Sequence, residues 1–190
     1  MRANLIVITL IISLSTFIWA GCAQQQPSTP PNQNQNQQDT TPDTQTTASI
    51  VNEIDAFKKA ISKDGTWIIC LLKDLTSEEE LVLEGEFTNG KKNEEGKEII
   101  QRKIALYEQD DNRNITKRYT LTIPKLTIKS PEASIQHGTF VGDLVVDVKN
   151  FKLVDTTVEG NVFFTSEEAK STFQMDEQSK ITGKQELQKQ

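Results

Sequence analysis

A repeat centred on glycine restricts the folds that this chain can adopt. Four stretches align on a glycine: VLEGEFTN around Gly85, TFVGDLVV around Gly142, TVEGNVFF around Gly160 and KITGKQEL around Gly183. Successive side chains of a β-strand point to opposite faces, so apolar residues at every second position line one face. A glycine within a strand indicates a position where a Cβ atom would crowd a neighbour or a bend. The repeat therefore predicts several strands built on one template.

The template predicts which side chains face the interior, because alternation places the positions two before, two after and four after each glycine on one face. The positions two before are Leu83, Phe140, Val158 and Ile181, those two after are Phe87, Leu144, Val162 and Gln185, and those four after are Asn89, Val146, Phe164 and Leu187. Most of these residues are apolar, as a buried face requires.

The spacing of the glycines predicts stacked coils. Gly142 and Gly160 are 18 residues apart, and Gly160 and Gly183 are 23 apart. Periods near 20 are typical of units that bury their inner faces against one another. We therefore expect a mainly β fold, a short right-handed parallel β-helix (a solenoid), with a β-sandwich as the alternative. The 57 residues from Gly85 to Gly142 predict about three coils, with charged loops at 88–98 and 108–118 as excursions.

An amphipathic helix is predicted before the strands. Apolar residues at spacings of four, three and four form one stripe, and they are Ile50, Ile54, Phe57 and Ile61. Ser49 is a suitable N-cap, and Asp64-Gly65 is a suitable stop. A helix over 50–62 would cap the first coil of the β-helix, because a terminal coil needs a cover.

The first 21 residues have the parts of an export signal. Arg2 gives a positive start, Leu5 to Ala20 is uncharged and largely apolar, and Ala20-Gly21 supplies small residues for cleavage. Sixteen helical residues span about 24 Å, which is short of a hydrocarbon core of about 30 Å. A cleaved signal peptide over 1–21 therefore fits better than a membrane-spanning anchor, although an ordinary cleaved signal with an incidental cysteine is an alternative.

The four residues Trp19-Ala20-Gly21-Cys22 resemble the lipobox of bacterial lipoproteins. The resemblance implies that cleavage falls between Gly21 and Cys22 and that diacylglycerol is attached to the Cys22 thiol. Trp19 departs from the pattern, since the family usually has an aliphatic residue there. Two acyl chains anchor a protein stably. The expected location is the extracytoplasmic side of the cell membrane, and the covalent lipid is the only prosthetic group expected.

Residues 22–48 and 49–190 differ sharply in composition. After Cys22 comes a stretch rich in Gln, Asn, Thr and Pro, with too few apolar side chains to form a core. We interpret 22–48 as a disordered tether and 49–190 as a single β-rich domain. Removing residues 1–21, which contain one Arg and no acid, changes the net charge from −6 to −7. A net acidic surface without a basic stripe argues against nucleic acid as a partner.

A second resemblance concerns the β-rich part. The segments KDGTWIICLLKDLTSEEELVLEGEFT and KLTIKSP, together with the later repeat strands, are similar to uncharacterised lipoproteins of low-GC Gram-positive bacteria that carry a compact right-handed parallel β-helix. The similarity covers roughly residues 50–187. It implies the fold and the location, and it assigns no catalytic residue.

The residues give little support for catalysis or a metal site. His137 is the only histidine, which excludes a His cluster, and DDNRN at 110–114 lacks the glycine and glutamate of a calcium loop. We interpret His137 as a turn or surface histidine and 110–114 as a charged turn. Cys70 lies in the apolar run WIICLL, which predicts a buried cysteine. With Cys22 acylated, Cys70 would have no intramolecular disulfide partner.

Two surface functions remain as alternatives. A polysaccharide lyase or hydrolase would need converging carboxylates, for which Asp143, Asp147 and Asp155 with Asn161 are the candidates, although a hydrogen-bonding ladder between coils is the more ordinary role. Carbohydrate binding would use exposed aromatic residues, and the candidates are Trp67, Tyr107, Tyr119, Phe151 and Phe173. The sequence favours a lipid-anchored, non-enzymatic β-solenoid that contacts the cell wall or a surface protein, of unknown oligomeric state.

Overall fold

The computed structural model describes residues 48–188, which we call the β region. Six strands form one sheet, sheet A, and they are β1 (Ser49–Val51), β2 (Ile68–Leu71), β7 (Arg102–Ala105), β11 (Ala133–Gln136), β13 (Lys152–Val154) and β16 (Gln174–Met175). Eight strands form sheet B, and they are β3 (Leu75–Thr76), β4 (Leu81–Leu83), β10 (Thr120–Ile128), β12 (Thr139–Val146), β14 (Thr157–Glu159), β15 (Val162–Phe164), β17 (Lys180–Ile181) and β18 (Gln185–Leu187).

Two helices and two hairpins complete the β region. The helices are α1 (Ile54–Ile61) and α2 (Glu167–Ser171). The antiparallel hairpins are β5 (Thr88–Lys92) with β6 (Glu98–Ile100), and β8 (Tyr107–Gln109) with β9 (Ile115–Arg118). They occupy the two charged loops that the sequence predicts to leave the repeat, and each connects a strand of one sheet to a strand of the other.

All pairings within sheets A and B are parallel. Sheet A runs β1-β2-β7-β11-β13-β16, so its strands lie in chain order. In sheet B, β3 and β4 pair with β10, β10 with β12, β12 with β14 and β15, and these with β17 and β18. From β10 onward the chain visits the two sheets alternately. The expectation of a mainly β fold with parallel sheets is confirmed.

The predicted inward positions of the last three repeats are confirmed except at Gln185. Phe140 pairs with Val158, and Val158 pairs with Ile181. Buried residues of this set have at most 1 % of their surface exposed, and they are Phe140, Leu144, Val146, Val158, Val162 and Phe164. Ile181 and Leu187 are partly buried against the same core, whereas Gln185, on the last strand, is exposed. The apolar side chains of both sheets belong to one core cluster.

The alignment of Gly85 with the other glycines is wrong. Leu83 pairs with Ile128, and Ile128 pairs with Val146, so Leu83 is equivalent to Val146 and not to Phe140. The interval from Gly85 to Gly142 holds one further strand of sheet B, β10, whereas about three coils were predicted. The two hairpins account for the extra length. Asn89, predicted to face inward, lies in the first hairpin.

The N-terminal helix is shorter than predicted. Residues 50–51 form β1 instead, because Ile50 and Val51 pair with Cys70 and Leu71 of β2, and β-branched residues suit a strand. The N-cap is Glu53 rather than Ser49, and it makes no side-chain capping bond. The rest of the predicted stripe is correct, since Phe57 and Ile61 are buried. Helix α1 contacts β1, β2 and β4, which are the first strands of the two sheets.

Candidate functional site

The outward side of sheet A is the broadest candidate surface, and we call it face A. Strand register places its side chains in two rows across the sheet. One row is Ile50, Cys70, Ala105, Gln136 and Val154, and the other is Ile68, Lys103, Ser134, Lys152 and Gln174. The residues from β1 and β2 are apolar, and those from β11 onward are mostly polar. Face A therefore changes in chemistry from its N-terminal strand to its C-terminal strand.

The two hairpins flank face A because they leave from opposite ends of the same strand. Strand β6 ends at Ile100, just before β7, and β8 begins at Tyr107, just after β7. Each hairpin lines one groove. The β5–β6 hairpin borders a polar groove of about 200 Å³, and β8 borders an apolar groove of about 250 Å³.

Several polar side chains that line the polar groove are already paired, and Ile99 and Ile100 lie beside them. Asn89 Nδ2 donates to Gln101 Oε1 at 2.9 Å, and Gln136 Nε2 donates to Ser134 Oγ at 3.0 Å. Beside them, Glu132 Oε1 accepts from Asn150 Nδ2 at 2.5 Å. These contacts hold the polar groups in defined positions, which is how a site for a hydroxyl-rich ligand is preorganised.

Cys70 lies in the apolar groove and not in the core. Its neighbours Ile69 and Leu71 are buried inward, so Cys70 faces outward and is half-buried. The prediction of a core cysteine was wrong because an apolar run on a strand contributes residues to both faces. Burial raises the pKa of the Cys70 thiol, and the charge of Lys103 partly opposes this shift. The thiol is therefore less nucleophilic than an ordinary exposed cysteine.

A compact ionic cluster lies beside the second hairpin. Arg118 Nη2 donates to Asp155 Oδ2 at 2.5 Å, and His137 Nδ1 lies 3.1 Å from the same oxygen. The hydrogen bond from Arg118 lowers the pKa of the Asp155 carboxyl, and His137 adds to this effect. The edge of Tyr107 packs on the His137 ring, with ring centroids 4.6 Å apart. His137 occupies a turn, as the sequence indicated, with φ of 61°.

The segment 110–114 is a turn, as predicted. The carboxylate of Asp110 accepts from the backbone N–H groups of Asn112 and Asn114 at 2.9 and 2.8 Å. These bonds, with one from the Asn114 side chain, lower the pKa of the Asp110 carboxyl. Within residues 48–188, no three His, Cys, Asp or Glu side chains are grouped closely enough to hold a metal ion.

The acidic residues considered for polysaccharide cleavage do not converge. Asp143 Oδ1 accepts from both the backbone N–H and the side-chain amide of Asn161 at 2.9 Å, and Asn161 Oδ1 accepts from the backbone of Lys184 at 3.0 Å. Asp147 instead accepts from Thr165 at 2.6 Å. Asp143 and Asn161 thus form the hydrogen-bonding ladder between successive strands that the sequence suggested as their more ordinary role.

The aromatic candidates are largely buried. Phe151 is fully buried and stacks on Phe173, with ring centroids 5.9 Å apart, so it is not the exposed aromatic residue that carbohydrate binding would require. Tyr119 is also buried, whereas Trp67 and Tyr107 are half-buried. Tyr107 borders the apolar groove.

Sequence reasoning missed a buried arginine. Arg102 is fully buried, and its Nη2 donates to the carbonyl oxygens of Ala60 and Ser62 at 2.8 and 3.0 Å. Its guanidinium lies 3.9 Å above the Phe87 ring. Burial lowers the pKa of Arg102 to about 10. The alternation in the segment KEIIQRKIALYE carries no signal for this role, since Arg102 takes an inward position where an apolar residue is expected.

The predicted lipidation and cleavage residues, Cys22 and Gly21, lie outside the described residues. Within residues 48–188 no helix has the length and hydrophobicity needed to cross a bilayer. Comparison with known proteins gave no match to a family model, to a curated protein or to a solved structure.

Proposed function

We propose that this chain is a lipid-anchored bacterial protein on the extracytoplasmic side of the cell membrane, and that its β region is a non-enzymatic β-solenoid that contacts the cell wall or a surface protein. The observation that carries the proposal is face A, a patterned surface with a hairpin at each side. A surface of this kind provides area for a partner without a deep cleft for chemistry.

The solenoid interpretation is supported by chain order. Strands β11 to β18 alternate between the two sheets, and partners in sheet B are 18 and then 23 residues apart. A connection between parallel strands of one sheet is right-handed in nearly all proteins. The coil would then be right-handed, with α1 covering its first turn.

The anchor is supported by the resemblance of Trp19-Ala20-Gly21-Cys22 to a lipobox. Two acyl chains on Cys22 would hold the chain at the bilayer. Random-coil scaling gives a tether of about 26 residues a root-mean-square reach of roughly 25–30 Å. This reach would lift the β region off the membrane while leaving its orientation free.

Replacing Cys22 by Ser is the direct test of the anchor. Loss of the thiol removes the site of acylation, so the protein should move from the membrane fraction to the soluble fraction and lose labelling by a fatty-acid analogue. Cys70→Ser is the matched control and should keep both properties. A Cys22→Ser protein that stays labelled and membrane-bound would refute the anchor.

Carbohydrate binding is the second candidate, and the preorganised polar groove favours it. Its amide groups, with Lys152 nearby, could donate to and accept from sugar hydroxyls. The Cys22→Ser protein should then bind cell-wall glycans. Lys152→Ala should weaken binding at least about ten-fold, since a hydrogen bond with a charged group contributes about 1.5–3 kcal/mol. Gln101→Ala should weaken it by a smaller factor, since a neutral hydrogen bond contributes about 0.5–1.5 kcal/mol. Lys149→Ala, at an exposed loop position, is the control. No binding to any glycan tested would retire this candidate.

A further inference from the structure

We propose that β1 is the pairing strand of a homodimer, in which β1 of one copy pairs antiparallel with β1 of a second copy about a two-fold axis at Ile50. Strand β1 is the first strand of sheet A and, among the described residues, pairs only with β2. An edge strand of this kind presents unpaired backbone groups to any further strand. Pairing would join the two A sheets into one.

The direction of the backbone bonds identifies Ile50 as the centre of this contact. The carbonyl oxygen of Val51 accepts from the Leu72 N–H at 3.0 Å, so Val51 points its backbone groups toward β2. Successive residues of a strand direct their N–H and C=O groups to opposite edges. Ile50 therefore directs both groups to the open edge, where two copies of Ile50 could exchange two hydrogen bonds.

The side chain of Ile50 makes the surface self-complementary. It is 66 % exposed, the largest value among the exposed large apolar side chains of the β region. Beside it lies the apolar groove, whose lining includes Leu72, Ile68 and Tyr107. In the proposed pair the two Ile50 side chains would lie side by side on face A, so each copy would cover exposed apolar surface of the other.

The charge around β1 does not oppose self-association. Residues 48–52 are uncharged in a chain with net charge −6. Proteins usually protect an exposed edge strand with charged residues, with proline or with a covering element. Sheet B has such a cover at the same end, since α1 contacts β4 and the Glu84 N–H donates to the Ile61 carbonyl at 3.0 Å. Strand β1 carries no charge, and although α1 also contacts it, Ile50 remains 66 % exposed.

A second copy fits this edge better than a bilayer does. Hydrocarbon cannot satisfy the backbone groups of Ile50, whereas another strand can. The proposed membrane anchor also favours a second copy. In this respect the inference rests on the proposed function: anchored copies would share one membrane surface, which raises their effective concentration. The pairing itself does not need the lipid.

Cysteine cross-linking tests the register directly. In a Cys70→Ala background, Ile50→Cys should form a disulfide-linked dimer when the full chain, in membranes, is oxidised with diamide. Residues opposite one another in a hydrogen-bonded antiparallel pair have Cα atoms about 5.5 Å apart, within the usual disulfide range. Gln174→Cys, outward on the last strand of sheet A, is the positional control. The expected yield is at least about five-fold higher for Ile50→Cys, as directly opposed residues alone meet this geometry.

A charge at the same position gives the complementary test. Ile50→Lys should abolish dimerisation of the Cys22→Ser protein in sedimentation measurements, because like charges directly opposite one another repel. At concentrations too low for dimerisation, its melting temperature should match that of the unsubstituted monomer, since Ile50 is exposed. Val82→Lys, on an exposed strand position of sheet B, should leave dimerisation intact. Cross-links between Ile50→Cys and Gln174→Cys chains would overturn the proposal in favour of head-to-tail stacking.

The remaining outcomes distinguish a failure of the β1 pairing from a failure of the membrane anchor. The Cys70→Ala chain without the new cysteine should give no disulfide-linked dimer on oxidation if Cys22 is acylated, because it then has no free thiol. Two results together would overturn the β1 pairing and still support the anchor. The Cys22→Ser chain would leave the membrane but stay monomeric at high concentration, and Ile50→Cys would fail to cross-link in membranes. If the unsubstituted chain takes up no fatty-acid label yet dimerises as its concentration rises, the pairing is supported and the anchor is refuted.

Discussion

Val162→Asp is expected to unfold the β region or leave it close to its unfolding midpoint at room temperature. Val162 is fully buried and pairs with Leu144 on one side and Gln185 on the other. The substitution removes apolar contacts and places a carboxylate in the core without a partner. Leaving a buried charge unpaired costs about 3–5 kcal/mol, which is a large part of a typical stability of 5–15 kcal/mol. Urea unfolding followed by far-UV circular dichroism measures the loss.

Val82→Asp is the matched control for this substitution. Val82 lies on β4 between two buried residues, yet its own side chain is 39 % exposed. The carboxylate remains in water there, so the expected loss is within about 1 kcal/mol, as at other surface positions. Equal losses for the two variants would mean that the inward register of β15 is wrong.

The later repeats could be predicted from sequence because strand alternation is a local property. Once Gly142, Gly160 and Gly183 are aligned, the pleat alone determines that Leu144 and Val162 share a face. The ladder between Asp143 and Asn161 follows from the same alignment, since equivalent positions stack when strands pair in register. These features need no knowledge of the rest of the chain.

Gly85 misled the alignment because a glycine near a strand can have more than one cause. Its φ of 95° is a turn conformation, and a Cβ there would meet the Phe87 ring and the Lys63 backbone. At Gly142, by contrast, a Cβ would meet the backbone of the adjacent strand. The two cases look alike in sequence. Only the pairing of Leu83 with Ile128 separates them.

The edges and the outer face were the least predictable parts. The spacing of Ile50 and Ile54 satisfies a helix, but parallel pairing with β2 extends the chain at Ile50, and that pairing joins residues 20 positions apart. Cys70 was misplaced and Phe151 could not be placed for a related reason, since neither an apolar run nor a loop shows which face a side chain takes. The candidate surface depends on such long-range pairing, so face A could not be derived from the sequence.

Glycines at equivalent positions of neighbouring strands predict a large loss of stability for a substitution at Gly142. Its φ is 131°, and an added Cβ would lie 1.8 Å from the carbonyl oxygen of Ile123 on the adjacent strand. Gly160 repeats the arrangement against Gly142, with a Cβ 1.9 Å from the Gly142 oxygen. Gly142→Ala must therefore push apart two paired strands. The expected loss of stability is about 3 kcal/mol or more, from backbone strain together with overpacking.

Gly96→Ala separates the strain from the clash. Gly96 also has a positive φ, 78°, but an added Cβ there meets no atom within 4 Å. The left-handed conformation alone costs an alanine about 1–2 kcal/mol. Urea unfolding of both variants gives the loss of unfolding free energy in each. The amount by which the loss in Gly142→Ala exceeds that in Gly96→Ala then reports how closely β10 and β12 approach. If the two losses are equal, the strands have room at Gly142, and close approach is not what places glycine at this point of the repeat.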